Sequence, residues 1–239
     1  MDLMPLYQAT AKGELDEALA AQPDLIRDEV ADQAHADFIG ANEAGRTDIA
    51  YVAATTAAFI RLNLGQRDRA LSVRLDAAQA LFMLSEDPPA YDAARGEALQ
   101  VGALALEIGD VGLILRSWVL ASDCAWFACE TSDNDEARLI QSLRDCADSL
   151  DWAGRLPDAG AQQGWLERLA SLVAAVAGAG MGKVWSQEWL LEADALLRRL
   201  AAGSDHLPID LGFDTTGGPT KTAEVSAMLS ELESRYGAH

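Results

Sequence analysis

The most apolar stretch of the sequence carries two charged side chains, Arg116 and Asp123, seven residues apart. Two turns of α-helix place residues at this spacing on one face. A charge in apolar surroundings must find a partner or be neutralised, so we expect each side chain to form an ion bridge to a neighbouring helix. The alternative is that both line an internal pocket and anchor a polar ligand group, as in an all-α enzyme or small-molecule carrier.

Two further patterns contain the residue types of a cation or phosphate site. Asp145, Asp148 and Asp151 follow at three-residue steps, as magnesium-binding carboxylates on a helix sometimes do. No second acidic cluster pairs with them, and arginines lie nearby, which favours a solvated, salt-bridged helix face.

The run AGAGMGKV at 177–184 lacks the first glycine and the final Ser or Thr of a phosphate-binding loop. Because it also follows a helix, we interpret it as a turn.

Histidine and cysteine are scarce, with three of each in 239 residues. Their spacing matches no common zinc pattern and defines no thiol–imidazole pair. An odd number of cysteines in apolar helical segments is typical of buried thiols in a reducing compartment. We therefore predict no metal, no cofactor and no catalytic residue, and we favour a protein that is not an enzyme. The cysteines are Cys124, Cys129 and Cys146.

The composition indicates closely packed helices. Hydrophobic residues make up 50% of the chain and aromatic residues 6%, and 45 residues are alanine. Alanine favours helix and lets neighbouring helices approach closely, so we predict an all-α fold.

The net charge of −20 makes binding to nucleic acid or to an anionic membrane unfavourable. A remaining alternative is an acidic protein that mimics nucleic acid.

From the sequence we predict neither a secretory signal nor a membrane-spanning segment. The first five residues, MDLMP, lack the basic and apolar segments of a secretory signal, so we expect a cytoplasmic protein. Residues 98–129 are apolar enough to suggest a membrane span, but Glu107, Asp110, Arg116 and Asp123 interrupt them. We therefore predict a helical hairpin buried in protein.

Composition divides the chain into three parts. Residues 1–202 carry helical periodicity with turns at Gly45, Gly65 and Gly109, and form the predicted helical domain. Residues 203–221 are rich in Gly, Pro, Asp and Thr and form a predicted flexible arm. Residues 222–239 contain a short amphipathic helix that needs a docking place. It could close its own helix stack, bind the partner, or form a homodimer with a second copy.

The repeated helix–turn–helix pattern resembles the tetratricopeptide family over about residues 47–152. Small residues fall at several of the positions where that family needs them, and glycines fall at the turns, although Ile114 stands where an alanine is expected. Arg74 and Trp118, however, stand where a mid-sized aromatic residue is usual, and the 44 residues between Gly65 and Gly109 exceed the usual 34-residue repeat. The matching small residues are Ala58, Gly65, Ala70, Ala77, Gly102 and Ala121.

This resemblance implies a right-handed array of antiparallel helical hairpins, an α-solenoid whose inner groove binds a peptide or protein surface. We predict a cytoplasmic protein-binding scaffold or adaptor on this basis. The groove would be lined by the first helix of each repeat, which makes Tyr51, Thr55, Tyr91 and Arg95 candidate binding residues. The resemblance names no particular ligand.

Overall fold

The computed structural model describes residues 2–84, 87–131, 135–153 and 155–156. All regular structure in these ranges is helical, which confirms the all-α fold class. A short 3₁₀ turn at Pro23–Leu25 separates the second and third helices. The predicted helices after residue 156, the run at 177–184, and the boundaries at 202 and 221 lie outside the described residues. The α-helices are α1 (Met4–Lys12), α2 (Leu15–Ala21), α3 (Asp28–Glu43), α4 (Thr47–Asn63), α5 (Arg67–Leu84), α6 (Pro88–Ile108), α7 (Val111–Thr131) and α8 (Glu136–Ala153).

Helix ends follow the local sequence. Asp87 caps α6 by accepting a hydrogen bond from the Ala90 N–H at 2.9 Å, and prolines occupy the first turn of α6, where a missing N–H is harmless. Gly65 and Gly109 both have φ of 73°, a left-handed conformation that reverses the chain between hairpin helices.

Consecutive helices from α3 to α6 run in alternating directions. The start of one helix lies beside the end of its neighbour. Between α3 and α4 this is shown at one end by the Arg61–Asp32 ion pair and at the other by the cluster that holds Ala41 and Ala50. The ion pair of Arg67 with Glu107 and that of Arg74 with Glu97 show the same antiparallel order for α5 and α6. Sequence-adjacent helices are therefore packed as hairpins.

Alanine fills much of the space between these helices. Ala41, Ala50 and Ala80, from α3, α4 and α5, form one buried cluster. A larger cluster gathers α1 to α5 around the fully buried Val30 and Ile60. Small side chains permit short interhelical distances, which is the packing that the composition predicts.

The chain divides into two compact units, residues 1–120 and residues 121–239. In the second unit, Ser122 of α7 and Ser142 of α8 bond reciprocally, and each hydroxyl donates to the other residue's carbonyl at 3.0 Å. Cys146 lies 2.9 Å from the Ser122 hydroxyl. This buried polar network fixes the packing of α8 against the second half of α7.

One helical stretch in the described part of the chain, Val111–Cys129, is long and apolar enough to cross a membrane. Burial within the structure covers 61% of that window. Core helices of proteins without a membrane segment have the same length and composition. The expectation that this chain does not contact a membrane therefore stays a prediction.

Candidate functional site

The first unit contains an open pocket of about 270 Å³ between α4, α5 and α6, which we call the α4 groove. Its lining is mostly apolar, with one ion pair. It is lined by Tyr51, Thr55, Ala58, Phe59 and Leu62 of α4, Arg74, Ala77 and Ala78 of α5, and Glu97 of α6.

The wall of the α4 groove is one stripe along α4. Tyr51, Thr55, Phe59 and Leu62 follow at steps of four, four and three residues, the spacing of one helix face. From Tyr51 to Leu62 the helix rises by about 16 Å, a length that matches about three turns of a bound helix or a short extended peptide. Tyr51, Thr55 and Phe59 are half-buried, whereas Leu62 is 45% exposed. The stripe therefore presents apolar surface to the outside.

Three alanines form the floor of the α4 groove. Ala58, Ala77 and Ala78 are each buried, and no longer side chain stands at these positions to fill the space above them. Two of them, Ala58 and Ala77, are among the six small residues that match the tetratricopeptide pattern. The depression exists because the sequence places methyl groups where a leucine would fill it.

A polar network closes one side of the α4 groove. The Arg74 guanidinium donates from Nε to Glu97 Oε2 at 2.9 Å and from Nη2 to Gln100 Oε1 at 2.7 Å. Its Nη2 also lies 2.8 Å from Glu97 Oε2. The Glu97 side chain lines the groove and is 39% exposed to solvent. An apolar pocket with a charged edge is a common form of recognition site for protein segments.

Of the four residues predicted to line a binding groove, the structure brings two together. Tyr51 and Thr55 lie side by side on α4, and the Thr55 hydroxyl donates to the Tyr51 carbonyl at 2.8 Å. Tyr91 is 4% exposed, and its ring packs at 5.4 Å against Phe82. Arg95 is half-buried on α6 and does not line this groove. On α6 the groove residue is Glu97.

Arg116 forms the interhelical ion bridge that its sequence surroundings predict. Its Nη2 lies 3.0 Å from Asp76 Oδ1 on α5, and Asp76 Oδ2 lies 3.7 Å from His35 Nε2 on α3. Asp123 is half-buried in the second unit and its charge acts on Cys146. The two residues of the predicted small-molecule pocket thus belong to separate units, and Arg116 is bound to a protein carboxylate.

The described cysteines are free thiols in buried positions. Burial raises the pKa of Cys146 to about 12, and the nearby charges of Asp123 and Asp145 act in the same direction. The hydrogen bond with Ser122 opposes the shift without reversing it. A thiol in this state is protonated at neutral pH and is a poor nucleophile.

The aspartates spaced three residues apart on α8 do not share one solvated face, as the sequence predicts that they would. Asp145 is only 1% exposed and accepts a hydrogen bond from Gln141 Nε2 at 3.0 Å, while Asp148 is exposed. The buried position of Asp145 follows from its place on the side of α8 that carries Ser142 and Ser149, both fully buried. Within the described ranges, no three side chains of metal-binding type come together.

Sequence reasoning missed Phe59, Leu62, Arg74 and Glu97 as parts of one site. Phe59 and Leu62 continue the helical face of Tyr51 and Thr55, so periodicity alone could have found them. Arg74 stood out only as a departure from the tetratricopeptide pattern. Its pairing with Glu97 depends on the register between α5 and α6, which no local pattern in the sequence encodes.

Comparison of the sequence and fold with known proteins identifies no family for this chain. No protein-family model matches the sequence, and no curated protein matches it either. A solved structure described as "DHF58 filament" is 19% identical, with 96% of this chain and 91% of that chain covered, at a TM-score of 0.24. A likeness at that TM-score carries no argument about fold or function.

Proposed function

We propose that this chain is a protein-binding scaffold or adaptor that holds an apolar side chain of its partner in the α4 groove. The observation that carries the proposal is the juxtaposition of three things: a stripe of half-buried side chains that ends at the exposed Leu62, an alanine floor, and an edge with an ion pair. Contiguous exposed apolar surface with a polar rim is typical of surfaces that bind protein.

The dimensions of the groove favour a protein segment over a small metabolite. A volume of about 270 Å³ is below the usual range for an enclosed ligand pocket. It is enough for one or two large apolar side chains that enter from outside. Burying one such side chain contributes about 1.5–3 kcal/mol, so affinity would build from several contacts along the stripe.

We further propose that the helical hairpins form a right-handed array like that of tetratricopeptide proteins. The alternating directions of α3 to α6 support this arrangement. So does the bridge of His35, Asp76 and Arg116, which joins α3, α5 and α7 at one level. In such an array every second helix lies in the same layer.

Site-specific photo-crosslinking tests the proposed function. A photoreactive benzoylphenylalanine replaces Leu62 in the groove or, as a control, the exposed Gln79 on α5, and each protein is irradiated in lysate of its native host. A third protein combines the crosslinker at Leu62 with Thr55→Trp, which fills the groove with an indole. We expect one protein adduct from the Leu62 position that is missing from the control and is lost when the groove is filled.

Several results would contradict the proposal. Adducts that form equally from both positions, or that survive Thr55→Trp, would show that the groove is not the contact surface. A small molecule retained by the purified protein, with no adduct, would support the carrier alternative. An adduct with a basic protein would support the nucleic-acid mimic if added DNA prevents its formation and Thr55→Trp does not.

A further inference from the structure

We infer that the partner of the α4 groove is a basic segment, in which a large apolar residue enters the groove and a neighbouring Lys or Arg binds the Glu97 carboxylate. The inference rests on the proposed function and adds to it the chemical class of the partner.

The carboxylate of Glu97 has capacity for a second cation. Arg74 engages only Oε2 of Glu97, and Oε1 has no hydrogen-bond donor among the described residues. A carboxylate can accept about four hydrogen bonds, and two cations on one carboxylate form a favourable network. The guanidinium of Arg74, by contrast, is held by Glu97 and Gln100 together. Of the two charged residues at the groove, Glu97 therefore has the more accessible charge.

The surrounding charge favours a basic partner. Asp48 is exposed one helical turn before Tyr51 on the same face of α4, so acidic side chains stand at the beginning of the stripe and at its α6 edge. At the α6 edge Arg74 and Glu97 offset each other's charge, so a partner cation would bind there through the Oε1 side of the carboxylate, and the negative field comes from Asp48 and the chain as a whole. The whole chain has a net charge of −20, which attracts cationic segments and repels anionic ones during encounter.

A matched pair of ion pairs on the same two helices makes the inference testable. The ion pairs of Arg67 with Glu107 and of Arg74 with Glu97 both join α5 to α6. The Glu107 side chain is 60% exposed. Only Glu97 lines the groove. Glu107→Gln therefore removes the same charge from the same helix without touching the proposed contact.

The probe is a random twelve-residue peptide library displayed on phage and selected against the immobilised full chain. We expect enriched peptides with Leu, Met, Phe or Trp beside Lys or Arg. The best peptide is then synthesised with a fluorescent label and titrated by anisotropy. Glu97→Gln should weaken binding about two- to fivefold and flatten its salt dependence, while Glu107→Gln should change neither.

The outcomes separate the inference from the proposed function. Enriched peptides that are apolar but uncharged or acidic, and that lose binding with Thr55→Trp, would overturn the basic partner and keep the groove. Equal weakening by Glu97→Gln and Glu107→Gln would also overturn it, because the effect would then be one of net charge. Peptides whose binding is unaffected by Thr55→Trp, or no enrichment at all, would count against the groove itself.

Discussion

Arg116 and Asp76 form an ion pair, with 3.0 Å between Nη2 and Oδ1, that joins α7 to α5. The other oxygen of the same carboxylate faces His35 of α3 at 3.7 Å, so one side chain connects three helices that are distant in sequence. Asp76 is 18% exposed, and a charge with so little contact with water depends on its protein partners.

This geometry predicts a measurable coupling between Asp76 and Arg116. In a double-mutant cycle of Asp76→Asn and Arg116→Gln, we expect a coupling energy of about 0.5–1 kcal/mol in urea unfolding followed by circular dichroism. Arg67 and Glu107 are 46% and 60% exposed and serve as the comparison, with an expected coupling near zero. Equal coupling for the two pairs would show that the partial burial of Asp76 has no energetic effect.

Tyr51 and Tyr91 should respond differently to truncation. Tyr91→Ala removes a buried ring that packs against Phe82 and should lower the free energy of unfolding by about 3–5 kcal/mol. Tyr51→Ala removes a half-buried groove residue and should cost at most about 2 kcal/mol while weakening partner binding roughly tenfold. Thermal unfolding and peptide titration measure the two effects, and the reverse ranking would assign Tyr91 to the binding surface.

Two glycines on α6 predict opposite responses to alanine. A methyl group added at Gly96 meets nothing within 4 Å, so Gly96→Ala should stabilise the protein by about 0.5–1 kcal/mol through helix propensity. At Gly102 the added carbon would lie 3.2 Å from Ser117 Cβ, and Gly102 is buried. Gly102→Ala should therefore give no gain or a loss. Equal stabilisation by both substitutions would mean that α6 and α7 are less closely packed than described.

The raised pKa of the Cys146 thiol predicts that the folded protein loses stability at alkaline pH. The pKa of its thiol is about 12 in the folded protein, against 9.0 as the reference value. Above pH 9 the unfolded chain loses this proton while the folded chain keeps it, so stability falls as pH rises from 9 to 12. The expected contribution is about 2 kcal/mol at pH 10.5. Comparing urea unfolding of the wild type and Cys146→Ala at pH 7.5 and 10.5 checks this, and an equal alkaline loss in both proteins would contradict it.

Much of the fold could be predicted because its signals are local. Helical periodicity, turn glycines such as Gly65 and Gly109, and the Asp87 cap lie within a few residues of the structure they specify. The starts of helices depend less on local sequence. The 3₁₀ turn at Pro23–Leu25 precedes α3, which begins only at Asp28.

The candidate site was only half predictable because it depends on contacts between helices. Tyr51 and Thr55 could be placed by their position on the first helix of a hairpin. Tyr91 was placed on the binding surface by the same reasoning, yet α6 is rotated so that its ring enters the core. The partners of Arg74 and Arg116 are set by interhelical register over 23 and 40 residues, which the sequence pattern does not specify.

The most direct measurement is the affinity of the groove-binding peptide for two tryptophan variants of matched size. Thr55→Trp fills the α4 groove, whereas Gln79→Trp places the same indole on an exposed face of α5 outside it. Isothermal titration should show binding to the wild type and to Gln79→Trp with equal affinity, and a loss of at least tenfold with Thr55→Trp at unchanged thermal stability. Equal affinity for all three proteins would contradict the central claim that this chain binds protein through the α4 groove.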